Sequence, residues 1–433
     1  MVTLYKKIKI WWYNLAASII SWIAINVWTL PIFVSFLEWT SQFQYLHGLI
    51  EKIINTFNRF VEDYVQQTEN EERRVAVIIG ADSAIGYSLA TQLVKKNFHV
   101  VIGVKNAKTG IFMSQKLHKI RPYSKITPIV LEIGNPYSAF DASARIKRLF
   151  KRIDVIYFNN YSLVINRVNW PVLYDAIKRF SFNYFCMTGR SHPGGPMFIS
   201  TVNKGTNSCG FGREFAESVL GPFIMIKELL PLIQAADLPG RIVWSVSSFL
   251  NPNSFDWHDP QHLNGNEAFF SNNYIIHLLQ PMLNRELSKS QVQSYEGSPG
   301  LVLSSFSPEN VVKFSSLFYI LSYFVPIIRV SPYYASRCLL HLGTHRREYE
   351  KLQLNKLYYM TNYFGLKECT YVEEPNFADS AVMYNWLEDI YNRLRQSNSL
   401  LEGRVDAAIN ISHENSMNTL HRRHSLGTYR RAN

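Results

Sequence analysis

Apolar and polar positions divide the 433-residue chain into stretches of different character. From Trp11 to Leu37 no residue is charged (WWYNLAASIISWIAINVWTLPIFVSFL). The run exceeds the ~20 residues that a helix needs to span a hydrocarbon core. Trp11, Trp12 and Tyr13 at one end and Trp39 just past the other read as interfacial aromatic belts. A cleaved leader would be shorter, with its small residues after the run, whereas Ala16-Ala17 lie inside it. Residues 1–39 are therefore expected to be a retained membrane anchor, with Pro31 kinking the helix or turning it back as a hairpin. Leu46, Leu49, Ile50, Ile53, Ile54, Phe57, Val61 and Tyr64 recur at helical spacing, which predicts an amphipathic helix. QQTENEE at 66–72 follows as a polar linker, so 40–72 reads as helix plus linker.

Beyond the linker the period changes. Short β-rich runs occur at 75–80, 99–104, 126–133, 153–160, 241–247 and 301–307, separated by helical patterns, notably 86–97, 213–235 and 266–288. Near-continuous apolar strands alternating with helices predict an α/β fold with a doubly wound parallel sheet over 73–397. A second apolar stretch, Phe314–Ile328, is too short to span a bilayer and is expected to dip into the interface or line an apolar pocket. From Asn398 the chain turns polar and loses periodicity, so 398–433 reads as a disordered basic tail.

Composition narrows the class. Apolar residues make up 47% and charged residues 18%, which excludes a disordered chain, a coiled coil and a disulfide scaffold. Cys186, Cys209, Cys338 and Cys369 are far apart with no C-x-x-C, and read as thiols in a reducing compartment. His258, Asp259 and His262 have no third cluster to complete a metal site and read as loop residues; no metal is expected. The net charge of +12 is uneven: Lys95 to Arg152 holds 13 Lys/Arg against Glu132 and Asp141. A nucleic-acid face, an anionic membrane face, a pocket for a phosphorylated cofactor or a solvated surface would all carry such charge. No nucleic-acid motif accompanies it, and no nucleic-acid partner is expected.

The first predicted strand runs into IIGADSAIGYSLATQLVKKN. Gly80 and Gly86 bracket a strand-to-helix junction that also holds Ser83 and Ile85. Such a turn lets backbone N–H groups approach a pyrophosphate at the helix N-terminus. The second strand ends in Val104-Lys105-Asn106, with no acidic residue for a ribose hydroxyl. Lys105 suits a 2′-phosphate instead, so NADP is expected over NAD.

These residues resemble the short-chain dehydrogenase/reductase family, whose turn reads T-G-x-x-x-G-x-G. The chain has Ile79, Gly80, Ala84 and Gly86 at those places, with one glycine replaced by alanine. The family's fourth strand ends N-A-G, matched here by Asn159-Asn160-Tyr161, which adds Asn159 to the expected cofactor contacts. EFAESVLGPFIMIKELLPLIQAADLPGRIVWSVSSF, DWHDPQHLNGNEAFFSNNYIIHLLQPMLNREL and MTNYFGLKECTYVEE are similar to the membrane-associated 3-ketosteroid reductase (17β-hydroxysteroid dehydrogenase type 7-like) branch. The resemblance covers about 75–395. It implies a Rossmann-type fold, NADP-dependent redox chemistry on a sterol-like or other membrane lipid, and an endoplasmic reticulum membrane location. Lys6, Lys7 and Lys9 before the anchor would send the rest of the chain across the membrane, whereas a hairpin or in-plane anchor keeps it cytosolic. The nucleotide-dependent domain favours the cytosolic arrangement.

The family's chemistry implies a Tyr hydroxyl as proton donor, a Lys four residues on, a strand Ser that orients the carbonyl, and an Asn on the preceding helix. Ser247 matches the strand Ser. The Asn position falls on Ser218, the Tyr position on Phe269 and the Lys position on Asn273, and the Pro-Gly after the sixth strand on Ser305-Phe306. Phe cannot donate a proton and Asn carries no charge, so ordinary ketoreductase chemistry is expected to be weak or lost. A scaffold or nucleotide/lipid sensor is the alternative to an enzyme. Tyr274 and His277 are nearby but poor substitutes: Tyr274 is rotated around the helix, and a helix histidine usually packs or faces water.

Overall fold

The computed structural model describes residues 73–159, 171, 205–246, 252–263, 268–299, 332–345 and 375–400, together with strand segments at 165–168, 198–200, 301–302, 328–329, 357–362 and 365–370. The expected anchor, amphipathic helix and linker lie outside the described residues, as do most of the 314–328 stretch and the tail from 401. Among the described residues no helix is long and apolar enough to cross a membrane.

The alternating pattern folds as β1 (Val75–Ile79), α1 (Ala84–Lys95), β2 (His99–Val104), α2 (Ala107–Ile120), β3 (Ile126–Val130), α3 (Pro136–Leu149) and β4 (Val155–Phe158). A small antiparallel pair, β5 (Ile165–Val168) and β6 (Phe198–Ser200), follows. Then come a helical turn Arg213–Phe215, a π-turn Ala216–Leu220 and α4 (Gly221–Gln234), and after it β7 (Arg241–Ser245), α5 (Ala268–Ser288) and β8 (Gln293–Ser298). The remaining described elements include β9 (Leu301–Val302), β10 (Ile328–Arg329), α6 (Arg337–Thr344), β11 (Leu357–Asn362) and β12 (Gly365–Thr370).

Eight strands form one sheet in the order β12-β11-β8-β7-β4-β1-β2-β3, all parallel except β12. The order reverses at β1/β4, where the chain leaves the β3 edge and returns to build the other half. In open α/β sheets a crevice for ligands forms at such a switch point, outside the C-terminal strand ends. Every residue of β1, β4 and β7 is buried, as strands covered on both faces require. Full burial of each such Val or Ile contributes about 1.5–3 kcal/mol. At the β3 edge Pro128 is exposed; proline lacks a ladder donor and is tolerated at an edge.

The sixth sheet strand is not where the apolar pattern places it. LVLSSFS at 301–307 looks like a strand of the main sheet, yet its described residues, Leu301–Val302, pair in parallel with β10 outside that sheet, and 303–307 lie outside the described residues. The sheet position belongs to QSYEGS at 293–298. Ser294 is buried there because neighbours satisfy its polar groups. Trp244 Nε1 donates to Ser294 Oγ at 2.9 Å, and Asn284 of α5 exchanges two hydrogen bonds with the Ser294 backbone, at 2.8 and 3.1 Å. The Pro-Gly after this strand is therefore Pro299-Gly300, not Ser305-Phe306.

Two close approaches fix α6 on the sheet. Gly343 lies against Tyr157 of β4: a Cβ there would come within 1.8 Å of the Tyr157 hydroxyl. The buried Arg241 guanidinium donates to the Leu342 and His345 carbonyls at the C-terminal end of α6, where orphan carbonyls and the helix dipole favour a cation. A last helix covers 377–400, so residues 398–400 are helical, not the start of a disordered tail. Tyr384 onward forms a second compact unit.

Candidate active site

The glycine turn between β1 and α1 is held by two side chains, Ser83 and Asn159. Gly80 sits at φ +77°, a conformation that glycine adopts without strain. Its carbonyl accepts from Ser83 N–H at 3.3 Å, from Ser83 Oγ at 2.9 Å and from Asn159 Nδ2 at 3.4 Å. Asn159 Nδ2 also donates to Ser83 Oγ at 2.8 Å, tying the end of β4 to the turn. Ser83 is the N-cap of α1, accepting from Gly86 N–H at 3.0 Å. A Cβ on Gly86 would fall 2.2 Å from the Gly80 carbonyl oxygen, so only glycine fits.

The expected cofactor contacts therefore divide. The side chains of Ser83 and Asn159 are spent on shaping the turn. Asn106 is likewise the N-cap of α2, its Oδ1 accepting from Thr109 N–H at 2.8 Å. Helix geometry leaves the first four N–H groups without partners inside the helix. Ser83 takes those of Gly86 and Tyr87, which leaves those of Ala84 and Ile85 at the N-terminus of α1. The Ile85 side chain packs on the core, so its contribution is its amide. Lys105 is exposed where β2 ends. A narrow glycine turn, two helix-opening amides, the positive end of α1 and a lysine at the next strand end fit the pyrophosphate and 2′-phosphate of NADP(H).

Ser247 and Asn160 lie outside the described residues; the last described residue before Ser247 is Val246, whose N–H donates to Gly297 O at 3.0 Å. Ser218 is buried on the π-turn ahead of α4, a distortion frequently found at functional sites. Phe269 and Asn273 stand one turn apart at the start of α5, as their spacing predicts. Phe269 is half-buried, its ring edge-on to Phe270 at 5.2 Å. Asn273 is fully buried, and its Nδ2 donates to the Phe269 carbonyl at 2.8 Å. Neither side chain offers an acid. Tyr274 is turned onto Phe255, with ring centroids 5.7 Å apart.

His277, one turn past Asn273, is neither on the surface nor merely packed. It is buried with its Nδ1 3.2 Å from Oε2 of buried Glu296 on β8. Glu296 lies outside every apolar run that predicts a strand, so the pattern gives His277 no partner. The i, i+4, i+8 repeat of Phe269, Asn273 and His277 on one helix face was the available signal.

Residues 74–170 match the short chain dehydrogenase family. A rat protein named 3-keto-steroid reductase/17-beta-hydroxysteroid dehydrogenase 7 is 26% identical over 283 residues, covering 64% of this chain and 83% of the rat protein. The human protein of the same name is 27% identical over 237 residues, covering 54% and 67%. Among solved structures, YwfH, an NADPH-dependent reductase involved in bacilysin biosynthesis, aligns at TM-score 0.46 and 16% identity over 64% of this chain and 94% of that one.

Proposed function

From the match of residues 74–170 and the similarity to the rat and human 3-keto-steroid reductases, we propose that the chain is a membrane-bound NADP(H)-binding member of the short-chain dehydrogenase/reductase family that takes a sterol-like or other lipid ketone and reduces it weakly or not at all. NADP(H), when bound, supplies a hydride to a carbonyl carbon. The chain's own residues then have to hold the carbonyl and deliver a proton to its oxygen. Gly80 and Gly86 let the cofactor's pyrophosphate reach the Ala84 and Ile85 amides, and Lys105 meets the 2′-phosphate. Ser247, where the family has the strand serine, donates a hydrogen bond that polarises the carbonyl. The relatives' printed activity, reduction of 3-keto-steroids, supports the choice of ligand class.

The single observation that carries the weak-chemistry reading is the α5 pair. Phe269 has no proton to give, and Asn273 spends its amide on its own helix. A positioned general acid is worth ~10²–10⁴ in rate, or about 3–5 kcal/mol of barrier. Deletion of that contribution leaves ligand binding intact, so a sensor or scaffold that reports nucleotide or lipid occupancy is the second reading.

In this reading residues 1–39 anchor the protein in a membrane, that of the endoplasmic reticulum, with the α/β domain cytosolic. The charge-free run and its aromatic flanks support the anchor. The organelle rests on the resemblance, and the cytosolic side on the cofactor. Alkaline carbonate washing of membranes tests it: full-length protein is expected in the pellet, and release without detergent would contradict an integral anchor.

A further inference from the structure

The outer face of α2 carries a pattern that the reductase reading does not use. Lys108, Ile111, Phe112, Lys116, Lys119 and Ile120 recur at helical spacing, and all are exposed. Ile111 keeps 57% of its surface in water, Phe112 56% and Ile120 39%, and Tyr123 just past the helix 87%. These are not stray core residues, because the same helix buries Gly110, Met113 and Leu117 on its inner face. Lys116 Nζ lies 4.3 Å from the Phe112 ring centroid, so charge and apolar surface alternate within one patch. From Ser83 to Leu131 the chain holds eight Lys/Arg and no Asp/Glu. The helix packs on β3, the edge strand of the sheet.

The geometry points to this face as one that docks on an anionic lipid surface. Ile111, Phe112 and Ile120 enter the acyl boundary, while Lys108, Lys116 and Lys119 meet the headgroup phosphates and carboxylates. Lysines around large apolar side chains on one helix face are the composition that binds a negatively charged interface. A polynucleotide would satisfy the lysines but would set three large apolar groups against its charged backbone. A merely solvated basic face would keep an apolar patch in water with nothing gained. The inference rests on the membrane-bound reading, but on different residues: the anchor is 1–39, and the docking face is 107–123.

The test uses full-length protein added to preformed vesicles of phosphatidylcholine alone or with phosphatidylserine. Gln115→Cys sits within the patch and leaves its lysines and apolar groups intact. Its modification by a water-soluble maleimide is followed at position 115 by peptide mass spectrometry, so the native cysteines do not interfere. Modification is expected to slow several-fold on anionic vesicles relative to neutral ones. A reporter at Arg145→Cys, on α3, is expected to react equally on both. Adding K108E, K116E and K119E should remove the difference while the protein still floats with the vesicles. Equal rates at position 115 in protein that floats would overturn the docking face and leave the anchor standing. Failure to float would overturn both. Slowing by added RNA in the absence of vesicles would assign the face to nucleic acid and overturn the lipid proposal.

Discussion

Asn273 turns its side-chain amide back onto the carbonyl of Phe269, one turn earlier in α5, at 2.8 Å. In the resembling family that spacing joins a tyrosine to the lysine that lowers its pKa. Here it joins a residue without a proton to one without a charge, and the hydrogen bond between them closes within one helix. The cofactor half, in contrast, keeps a turn that only glycine can make.

That turn gives the first expectation. A methyl group at position 86 would sit 2.2 Å from the Gly80 oxygen and 2.8 Å from the Ala81 Cα, both backbone atoms that cannot swing aside. Gly86→Ala should therefore displace the start of α1, costing about 1–3 kcal/mol in thermal or denaturant unfolding. It should also abolish NADPH binding in calorimetry. Unchanged affinity would show that the turn is not the pyrophosphate site.

Lys105→Ala should weaken NADPH binding and leave NADH binding nearly unchanged. On the proposed assignment the exposed lysine would meet only the extra phosphate, through a charge-assisted contact worth about 1.5–3 kcal/mol. Calorimetric titration with both nucleotides checks this, and equal losses for the two would remove the 2′-phosphate assignment.

Gly343→Ala tests the seat of α6. The new methyl group would collide with the Tyr157 hydroxyl and with Cζ, 2.5 Å away, inside the fully buried core. Overpacking typically costs 1–3 kcal/mol, and the unfolding midpoint should fall accordingly. A companion Tyr157→Leu change, which removes the obstructing ring end, should recover part of the loss. Absence of destabilisation in the single variant would contradict the close approach.

His99 supplies a pH dependence. Burial holds its pKa below the ordinary 6.5, aided by the Lys125 and Arg73 charges. The folded state thus binds the proton more weakly than the unfolded chain. The contribution of His99 to stability is complete above pH 6.5 and is lost as pH falls through the lowered folded value. Melting curves from neutral to mildly acidic pH should slope less in His99→Gln than in the wild type. Identical slopes would mean that other groups set the acid limb.

The fold was legible where burial and hydrophobicity coincide. Residues of β1 and β4 are apolar and buried throughout, and those of β2 and β7 are so apart from His99, Arg241 and Ser245, so pattern and structure agree. The pattern failed at β8, because Ser294 and Glu296 are buried by pairing with Trp244, Asn284 and His277, all distant in sequence. An apolar run at 301–307 outranks this polar strand in the pattern, so neither the Pro299-Gly300 dipeptide beside it nor the partner of His277 stands out in the sequence. At the turn, the glycines could be read from spacing alone. What could not be read was that Ser83, Asn106 and Asn159 use their side chains on caps and on the turn itself, since a cap and a ligand contact require the same residue types. Phe269 and Asn273 were placed by family spacing, and the structure puts them on one face of α5 as that spacing requires.

The central claim is that proton delivery is missing from a reductase-like frame that keeps its glycine turn. Its most direct measurement is NADPH-dependent turnover on a panel of 3-ketosteroids by wild type, Phe269→Tyr, Asn273→Lys and the double variant. Wild type and both single variants should be near background, since the lysine tunes the tyrosine and the tyrosine delivers the proton. The double variant should gain at least ~10²-fold, the lower range of general-acid catalysis. Brisk wild-type turnover that survives Ser247→Ala would contradict the account, and would place the chemistry on other residues.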